Sequence, residues 1–332
     1  MSPAHRYVVI TDSNVGPLYG SQAIATFAPG SVDLVTIPAG EIHKTRATWS
    51  AVTDHLISLG CGRDTTIVAL GGGVVGDLAG FVAATYMRGL PVVQVPTSLL
   101  AMIDAAVGGK TGVDTPAGKN LVGSFHPPAG VIADTQALAT LAVEHFRTGF
   151  AEAIKHGVIA DEEYFETVLG YLPRILSPPF DGGGELFAAV VGSIEIKSAI
   201  VARDEREAGL RKVLNFGHTV GHAIETLSSY SVAHGEAVAI GMALESTIAE
   251  QAGIAEAGTA KRVRHALAVA GLPAERPPQL AVNSIVNSML GDKKTRAGRI
   301  EYALPLRIGA MAGGDSGWTV TVDENLVRGV LT

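Results

Sequence analysis

Residues 65–87 read TTIVALGGGVVGDLAGFVAATYM, and their reading decides the fold. A β-branched apolar run from Thr65 to Leu70 is followed by Gly71, Gly72, Gly73 and Gly76, and then by a proline-free helical pattern. A short, continuously apolar run bounded by turn residues is the signature of a strand buried on both faces. Glycines between such a strand and a helix let backbone N–H groups approach an anion at the helix N-terminus, because no Cβ stands in the way. The spacing is not the usual G-x-G-x-x-G, and a glycine turn alone is often only a tight connection. Three consecutive glycines at a strand-to-helix junction nevertheless point to phosphate binding in a Rossmann-like unit.

Outward from this stretch, YVVITD, DLVTI, PVVQVP and GVIAD repeat the strand pattern, and Thr45 to Leu59 reads as a helix between strands. Strands alternating with helices predict a parallel sheet with crossover helices, here assigned to residues 1–145. Asp12 and Asn14 close the first strand, where open α/β sheets bind ligands, although Asp-x-Asn is also ordinary turn chemistry. Past residue 145 the strand signal fades. Helical segments are expected near 144–157, 185–206, 213–228, 234–252 and 258–271, so residues 146–332 read as a mostly α-helical, metal-binding domain. The cluster SPPFDGGGE (177–185) reads as a loop, and RIEYALPL (299–306) as a short return to strand.

The helical half contains LNFGHTVGHAIETLSSYSVAHGE (214–236), which gathers three histidines. His218 and His222 stand four apart and share one helix face, from which both reach toward one ion; His234 opens the next helical segment. A single helical histidine is more often a satisfied structural residue, but three in one short span suit zinc or a related divalent ion. A carboxylate ligand is available in Glu152, within FRTGFAEAIKHGVI, which shares its face with Lys155 and His156.

Composition bounds the rest. The chain has 332 residues, 47% of them hydrophobic, enough for about two domains with large cores. A net charge of −7 and the lack of a Lys/Arg-rich run argue against nucleic acid as a partner. The apolar runs are interrupted by Arg88, Pro91, Pro96 and Asp104, so none is expected to span a membrane. The N-terminus lacks the pattern of a signal peptide, and one cysteine, Cys61, makes no intrachain disulfide, which fits the cytoplasm.

Taken in order, GGGVVGDLAGF, MRGLPVVQVPTSLLAMIDAAVGGKTGVDTPAGKN, GFAEAIKHGVI, DEREAGLRKVLNFGHTVGHAIE, HGEAVAIGM and DKK closely resemble the 3-dehydroquinate synthase family. This is the shikimate-pathway branch of the sugar phosphate cyclases, and the resemblance runs from about residue 7 to residue 310.

The resemblance implies an NAD- and metal-dependent lyase of aromatic amino acid biosynthesis. Such an enzyme converts 3-deoxy-D-arabino-heptulosonate 7-phosphate to 3-dehydroquinate and phosphate by transient oxidation, phosphate elimination, reduction, ring opening and intramolecular aldol closure. It implies that Glu152, His218 and His234 hold Zn2+ or Co2+, so that His218 and His222 do not both bind metal. His222 and Glu207 then handle protons, with Lys155 and Lys197 beside them. It places Asp12, Asn14, Glu41, Lys44, Gly72, Gly73, Val74, Asp77, Thr97, Ser98, Lys119 and Thr140 along the NAD site. It places Asp104, Lys110, Asn120, Arg211, Asn215 and one of Lys293 and Lys294 on the substrate. Arg88 falls on an arginine that reaches the substrate phosphate of a neighbouring subunit, which implies a homodimer.

Physically, an acidic protein that binds a substrate carrying carboxylate and phosphate needs a local cationic pocket, which these lysines and arginines would supply. Family members usually carry Arg-Glu where this chain has Glu144 and His145, and usually begin with a strand pair ahead of the first strand seen here. The competing readings are a sister cyclase acting on another sugar phosphate or an amino analogue, a metal-dependent polyol dehydrogenase, and a catalytically inactive nucleotide-binding protein.

Overall fold

The computed structural model describes residues 4–177, 183–229, 231–290, 295–296 and 299–332. They form two compact units, Met1–Leu141 and Ala142–Thr332.

In the first unit, β1 (Arg6–Asp12), β2 (Val32–Ile37), β3 (Thr65–Gly71), β4 (Val92–Pro96) and β7 (Gly130–Val131) form a parallel sheet in the order β2-β1-β3-β4-β7. The registers Tyr7↔Val32, Val8↔Ile67 and Ile67↔Val92 align the strands at their C-terminal ends. Every residue of β3 is buried, which is why its sequence is uninterruptedly apolar. Alternation then sorts the two faces. Val8, Ile10, Ile67 and Ala69 pack with Leu56 and Leu78, while Val9, Val68 and Leu70 pack with Tyr7 and Phe27. The helices are α1 (Ser21–Ala25), α2 (Arg46–Ser58) and α3 (Gly73–Thr85), and the Thr45 hydroxyl caps α2 by accepting from the Thr48 N–H at 3.2 Å. The chain passes from β1 to β2 on one side and returns to β3 on the other, so a ligand crevice opens at the C-terminal ends of β1 and β3.

An antiparallel hairpin, β5 (Lys110–Thr115) with β6 (Gly118–Phe125), was not legible in the sequence. Three glycines interrupt it and β6 is largely exposed, Leu121, Val122 and Phe125 included, so no period-two pattern marks it.

The second unit carries α4 (Val143–Ala160), α5 (Glu162–Ile175), α6 (Gly184–Arg203), α7 (His218–Leu227), α8 (His234–Gln251), α9 (Thr259–Val269), α10 (Val282–Leu290) and α11 (Glu324–Leu331). Two short hairpins, β8 (Thr295–Arg296) with β9 (Arg299–Ile300) and β10 (Pro305–Arg307) with β11 (Ala310–Met311), complete it. Helix α5 escaped the sequence reading because Gly170 and Pro173 interrupt its pattern; the Asp161 carboxylate nevertheless caps it from the Tyr164 N–H at 2.9 Å. The single helix expected over 213–228 is instead a 3-10 turn, Leu210–Asn215, and then α7, separated by Gly217 at φ +79°. Among the described residues, no helix is long and apolar enough to cross a membrane.

Helices α7 and α8 approach so closely that only glycine fits between them. A Cβ on Gly241 would lie 1.8 Å from the Gly217 carbonyl oxygen, and one on Gly235 would lie 2.2 Å from the Thr148 carbonyl oxygen of α4. Gly241→Ala is therefore expected to destabilise the protein by about 3 kcal/mol, because backbone cannot yield as a side chain can. Gly170→Ala, with nothing within 4 Å of the new methyl, is expected to stabilise α5 by about 0.5–1 kcal/mol. Urea unfolding checks both, and a Gly241→Ala midpoint equal to that of the parent contradicts the packing account.

Candidate active site

In the second unit, three helices deliver donor atoms to one point. Glu152 lies mid-way along α4 with no solvent exposure, His218 is the first residue of α7, and His234 is the first residue of α8. His218 Nε2 stands 3.5 Å and His234 Nε2 3.8 Å from Glu152 Oε1. One ligand atom from each of the three residues lies within 4.8 Å of the others. Lys155 Nζ forms an ion pair with Glu152 Oε2, while Oε1, the oxygen that faces the two imidazoles, has no hydrogen-bond partner.

The remaining nitrogen of each histidine is also engaged. His218 Nδ1 lies 3.1 Å from the Phe216 carbonyl oxygen, and His234 Nδ1 lies 3.2 Å from Glu225 Oε2. An acceptor at Nδ1 fixes the proton there and leaves the Nε2 lone pair facing Glu152, which is how outer partners orient metal-ligating imidazoles. Two helix starts are pinned as well. Both oxygens of the fully buried Glu245 accept at the head of α7, from the N–H groups of Gly217 (2.7 Å) and Val220 (2.9 Å). Glu236 accepts from the Ala233 N–H at 3.2 Å at the head of α8. Glu225 and Glu245 were missed in the sequence because each sits in an ordinary helical pattern, and only tertiary packing shows what it accepts from.

The spacing of His218 and His222 pointed to a pair on one face, and their rings do meet edge to face at 5.2 Å. The atoms that converge on Glu152, however, come from His218 and His234. His222 instead groups with Glu225 and His234. His156 is fully buried, with Nδ1 2.6 Å from Ser193 Oγ.

Lys155, Lys197 and Arg211 are buried at 1%, 6% and 1% exposure, an unusual state for cations in a chain of net charge −7. They come from α4, α6 and the 3-10 turn, which pack on one another. The Arg211 guanidinium donates to the Glu205 carbonyl, and the Asn215 amide donates to Glu207 Oε1 at 2.5 Å. The loop carrying Glu207 is organised by Asp204, which accepts from the N–H groups of Ala208, Gly209 and Arg211 at 2.7–3.0 Å. Burial pushes the Asp204 carboxyl up, but these backbone donors outweigh it and hold it below the usual range. Lys293 and Lys294 lie outside the described residues.

In the first unit, the candidate cofactor residues gather at the C-terminal edge of the parallel sheet, while Arg88 lies ahead of β4 at the opposite edge. The glycines of the β3–α3 turn divide by role. A Cβ on Gly71 would meet Val75 at 2.6 Å and one on Gly76 would meet Gln94 at 2.8 Å, so these two serve packing. On Gly72 or Gly73 it would find only ordinary contacts at 3.5 Å, and Val74 follows them in the first turn of α3. Protein packing therefore does not require glycine at these two positions, and bare backbone there suits a pyrophosphate cradle.

Nearby, Asp12 Oδ1 accepts from Asn14 and Val15 N–H, both at 2.8 Å, which is the turn chemistry open in the sequence. The Ser98 hydroxyl accepts from Ala101 N–H, Thr97 is buried beside it, and the Thr140 hydroxyl pairs with Tyr19 at 2.7 Å. Asp104 lies in the turn Ala101–Ala105, and Lys110 opens β5 on the surface. Arg88, Asn120 and Glu207 adopt φ of +69°, +51° and +59°, a conformation that non-glycine residues seldom adopt and that concentrates at functional positions.

Lys44 is the electrostatic centre of this edge. Its ammonium lies 2.9 Å from Glu41, 3.2 Å from Asp77 and 3.7 Å from Asp114, while Lys119 reaches Glu41 at 3.4 Å. Burial pulls the Lys44 ammonium down, but Asp77 and Glu41 outweigh it and leave its pKa raised. Burial pushes Glu41 up, yet Lys44 and Lys119 bring it below its ordinary value. Asp77 goes the other way: burial pushes its carboxyl up to about 6, against the pull of Lys44.

Comparison with known proteins first gives the class, the sugar phosphate cyclases. The structure of 2-deoxy-scyllo-inosose synthase complexed with carbaglucose-6-phosphate, NAD+ and Co2+ matches with a TM-score of 0.90 at 28% identity, over 99% of this chain and 90% of that one. The 2-epi-5-epi-valiolone synthase from Streptomyces hygroscopicus, with NAD+ and Zn2+ bound, matches with a TM-score of 0.89 at 29% identity and the same coverage. Glycerol dehydrogenase from Schizosaccharomyces pombe, at 16% identity and a TM-score of 0.68 over 98% of this chain and 82% of that one, shares the fold.

The particular family follows from sequence. Residues 34–148 match the 3-dehydroquinate synthase N-terminal family and residues 149–295 the C-terminal one. A 3-dehydroquinate synthase from Synechococcus is 42% identical over 97% of this chain and 88% of its own length. One from Pelobacter propionicus is 46% identical over 92% and 84%. The chain belongs to the 3-dehydroquinate synthase family.

The Lys44 cluster generates a pH-dependent expectation. Lys44→Met leaves three carboxylates facing one another, and since they retain 18–35% exposure the loss is expected at the lower end for a broken buried pair, about 3 kcal/mol at pH 8. Asp77 titrates near 6 in the fold against 3.8 ordinarily, so its charge opposes folding above pH 6, and that penalty fades as pH falls toward 4. The cost of Lys44→Met is therefore smaller at pH 5 than at pH 8. Urea unfolding of both proteins at the two pH values checks this, and equal costs contradict it.

Proposed function

We propose that the chain is a 3-dehydroquinate synthase, an NAD- and metal-dependent lyase that converts 3-deoxy-D-arabino-heptulosonate 7-phosphate to 3-dehydroquinate and phosphate. The observation that carries this reading is Glu152: a fully buried carboxylate, paired with Lys155 through Oε2, whose Oε1 has no hydrogen-bond partner and is faced by the Nε2 atoms of two imidazoles. Two histidines and one carboxylate are the donor set of a catalytic divalent site. Relatives named 3-dehydroquinate synthase at 42% and 46% identity support the choice of substrate over the sister cyclases at 28–29%.

On this reading Glu152, His218 and His234 hold Zn2+ or Co2+ in the helical domain, residues 146–332. The domain of residues 1–145 binds NAD through the Gly72–Gly73–Val74 turn, with Asp12, Asn14, Glu41, Lys44, Asp77, Thr97, Ser98, Lys119 and Thr140 around it. When bound, the metal supplies Lewis acidity at the substrate hydroxyls, and NAD+ supplies a hydride acceptor regenerated in each turnover.

The chain itself binds, orients and moves protons. Arg211, Lys155 and Lys197, with their neighbours held fixed by packing, meet the substrate's anionic groups with charge-assisted hydrogen bonds. Lys110, Asn120, Asn215, Asp104 and one of Lys293 and Lys294 complete the substrate contacts. His222 serves as a proton relay. Glu207, held by the Asn215 amide at 2.5 Å, exchanges protons through its carboxylate. Arg88 contacts the phosphate of a neighbouring subunit, which makes a homodimer the functional assembly, in the cytoplasm.

Phosphate release is followed with the heptulosonate phosphate, NAD+ and Zn2+ while absorbance at the NADH wavelength is recorded in the same cuvette. Release that disappears on chelation, without net NADH, is the expected result. Accumulating NADH overturns the reading in favour of a dehydrogenase, and release from a different sugar phosphate alone overturns it in favour of a sister cyclase. Glu152→Gln is expected to lower turnover more than about a hundredfold, beyond the range of outer-shell changes, with NAD binding retained.

A further inference from the structure

We infer that Asp114 is a positioning residue that holds Asn120 in its left-handed conformation and ties it to the loop of Lys44. The inference rests on the substrate role proposed for Asn120. Along the β5–β6 hairpin the register runs Thr111↔Ser124, Gly112↔Gly123 and Val113↔Val122, and then slips to Thr115↔Gly118. The slip sets Lys119, Asn120 and Leu121 of β6 against Asp114 alone, so the bulge lies on β6 and Asp114 stands opposite it. Bulges re-aim single side chains beside functional sites.

Asp114 makes contacts that lead to Lys44 and Asn120, which both have proposed roles. Its N–H donates to the Lys44 carbonyl at 2.7 Å, and it pairs as an isolated bridge with Thr45, which joins the hairpin to the loop after β2. Its Oδ1 accepts from the Asn120 N–H at 2.9 Å and lies 3.7 Å from Lys44 Nζ. Asn120 itself sits at φ +51°. Asparagine enters this region more readily than other non-glycine residues, and an acceptor for its N–H fixes it there. The Asp114 carboxylate, with 18% side-chain exposure, supplies that constraint for the Asn120 backbone and is tethered in turn by the Lys44 loop.

The test uses Asp114→Ala and Asp114→Asn in the full chain. Asparagine keeps an oxygen that accepts from the Asn120 N–H and removes the charge, whereas alanine removes both. Asp114→Ala is expected to raise the substrate KM about tenfold while kcat falls less than about threefold, and Asp114→Asn to keep KM within about threefold of the parent. Adding Asp114→Ala to Asn120→Ala is expected to produce no further loss, whereas a general weakening of the hairpin would add to it. An unchanged KM in Asp114→Ala, Asp114→Asn as impaired as alanine, or additive losses overturn the inference.

Hydrogen exchange of the peptide containing Asn120 reads the same contact without turnover. Its protection is expected to fall in Asp114→Ala and to remain in Asp114→Asn, and equal protection in all three proteins also overturns the inference. If the parent releases no phosphate from the heptulosonate, the proposed activity fails, while the exchange result still decides the role of Asp114.

Discussion

The carboxylate of Glu152 sets the terms for the helical unit. It has no solvent exposure, and what surrounds it is cationic or able to hold a cation: Lys155 at Oε2, and His218 and His234 at Oε1. Burying a carboxylate costs several kcal/mol unless positive charge compensates it, so a sequence that placed Glu152 here without its partners would not favour this fold. Much of the unit's geometry follows from bringing those partners close. The glycine contacts at 217, 235 and 241 let α4, α7 and α8 approach within backbone distance, and Glu245 and Glu236 satisfy the helix ends that the histidines open. Phe216 and Glu225 then fix which imidazole nitrogen faces Glu152. Tight packing and the chemistry of the site are one design here, since the helix starts carry the donors.

The sheet unit meets a different demand by different means. A dinucleotide needs a cradle for its pyrophosphate and polar groups around its ribose, and the β3–α3 turn offers backbone where a side chain would only occupy space. The charged residues beside it form a cluster in which one buried ammonium serves three carboxylates. Their opposed shifts, Lys44 and Asp77 up and Glu41 down, show how far the cluster departs from ordinary surface ion pairs, which contribute little. Backbone conformation adds a second layer: Arg88, Asn120 and Glu207 hold positive φ, so local conformational cost falls where substrate contacts are proposed.

What the sequence disclosed follows from which signals are local. The parallel sheet was legible because β3 is buried on both faces and reads as unbroken apolar residues, and because Gly71 to Gly76 separate it from α3. The hairpin β5–β6 was not, since an exposed strand broken by glycine, with Leu121 and Val122 adjacent, has no alternation to detect. Helix α5 was hidden by Gly170 and Pro173, and the break before α7 by a single left-handed glycine. Within the site, spacing brought His218 and His222 together, as the adjacent rings show, but only the packing of α8 on α4 brings His234 to Glu152. Glu225, Glu245 and Asp114 remained invisible because their roles lie in what they accept from, and acceptor partnerships between distant segments leave no periodic trace.

The central claim is that Glu152, His218 and His234 form one divalent-metal centre, and titration of the metal-free protein with Co2+ tests it most directly. The account predicts saturation at one equivalent with the visible d–d bands of a low-coordinate nitrogen and oxygen site, and loss of those bands in Glu152→Gln. Cobalt that binds without such bands, or binds Glu152→Gln as it binds the parent, would contradict it.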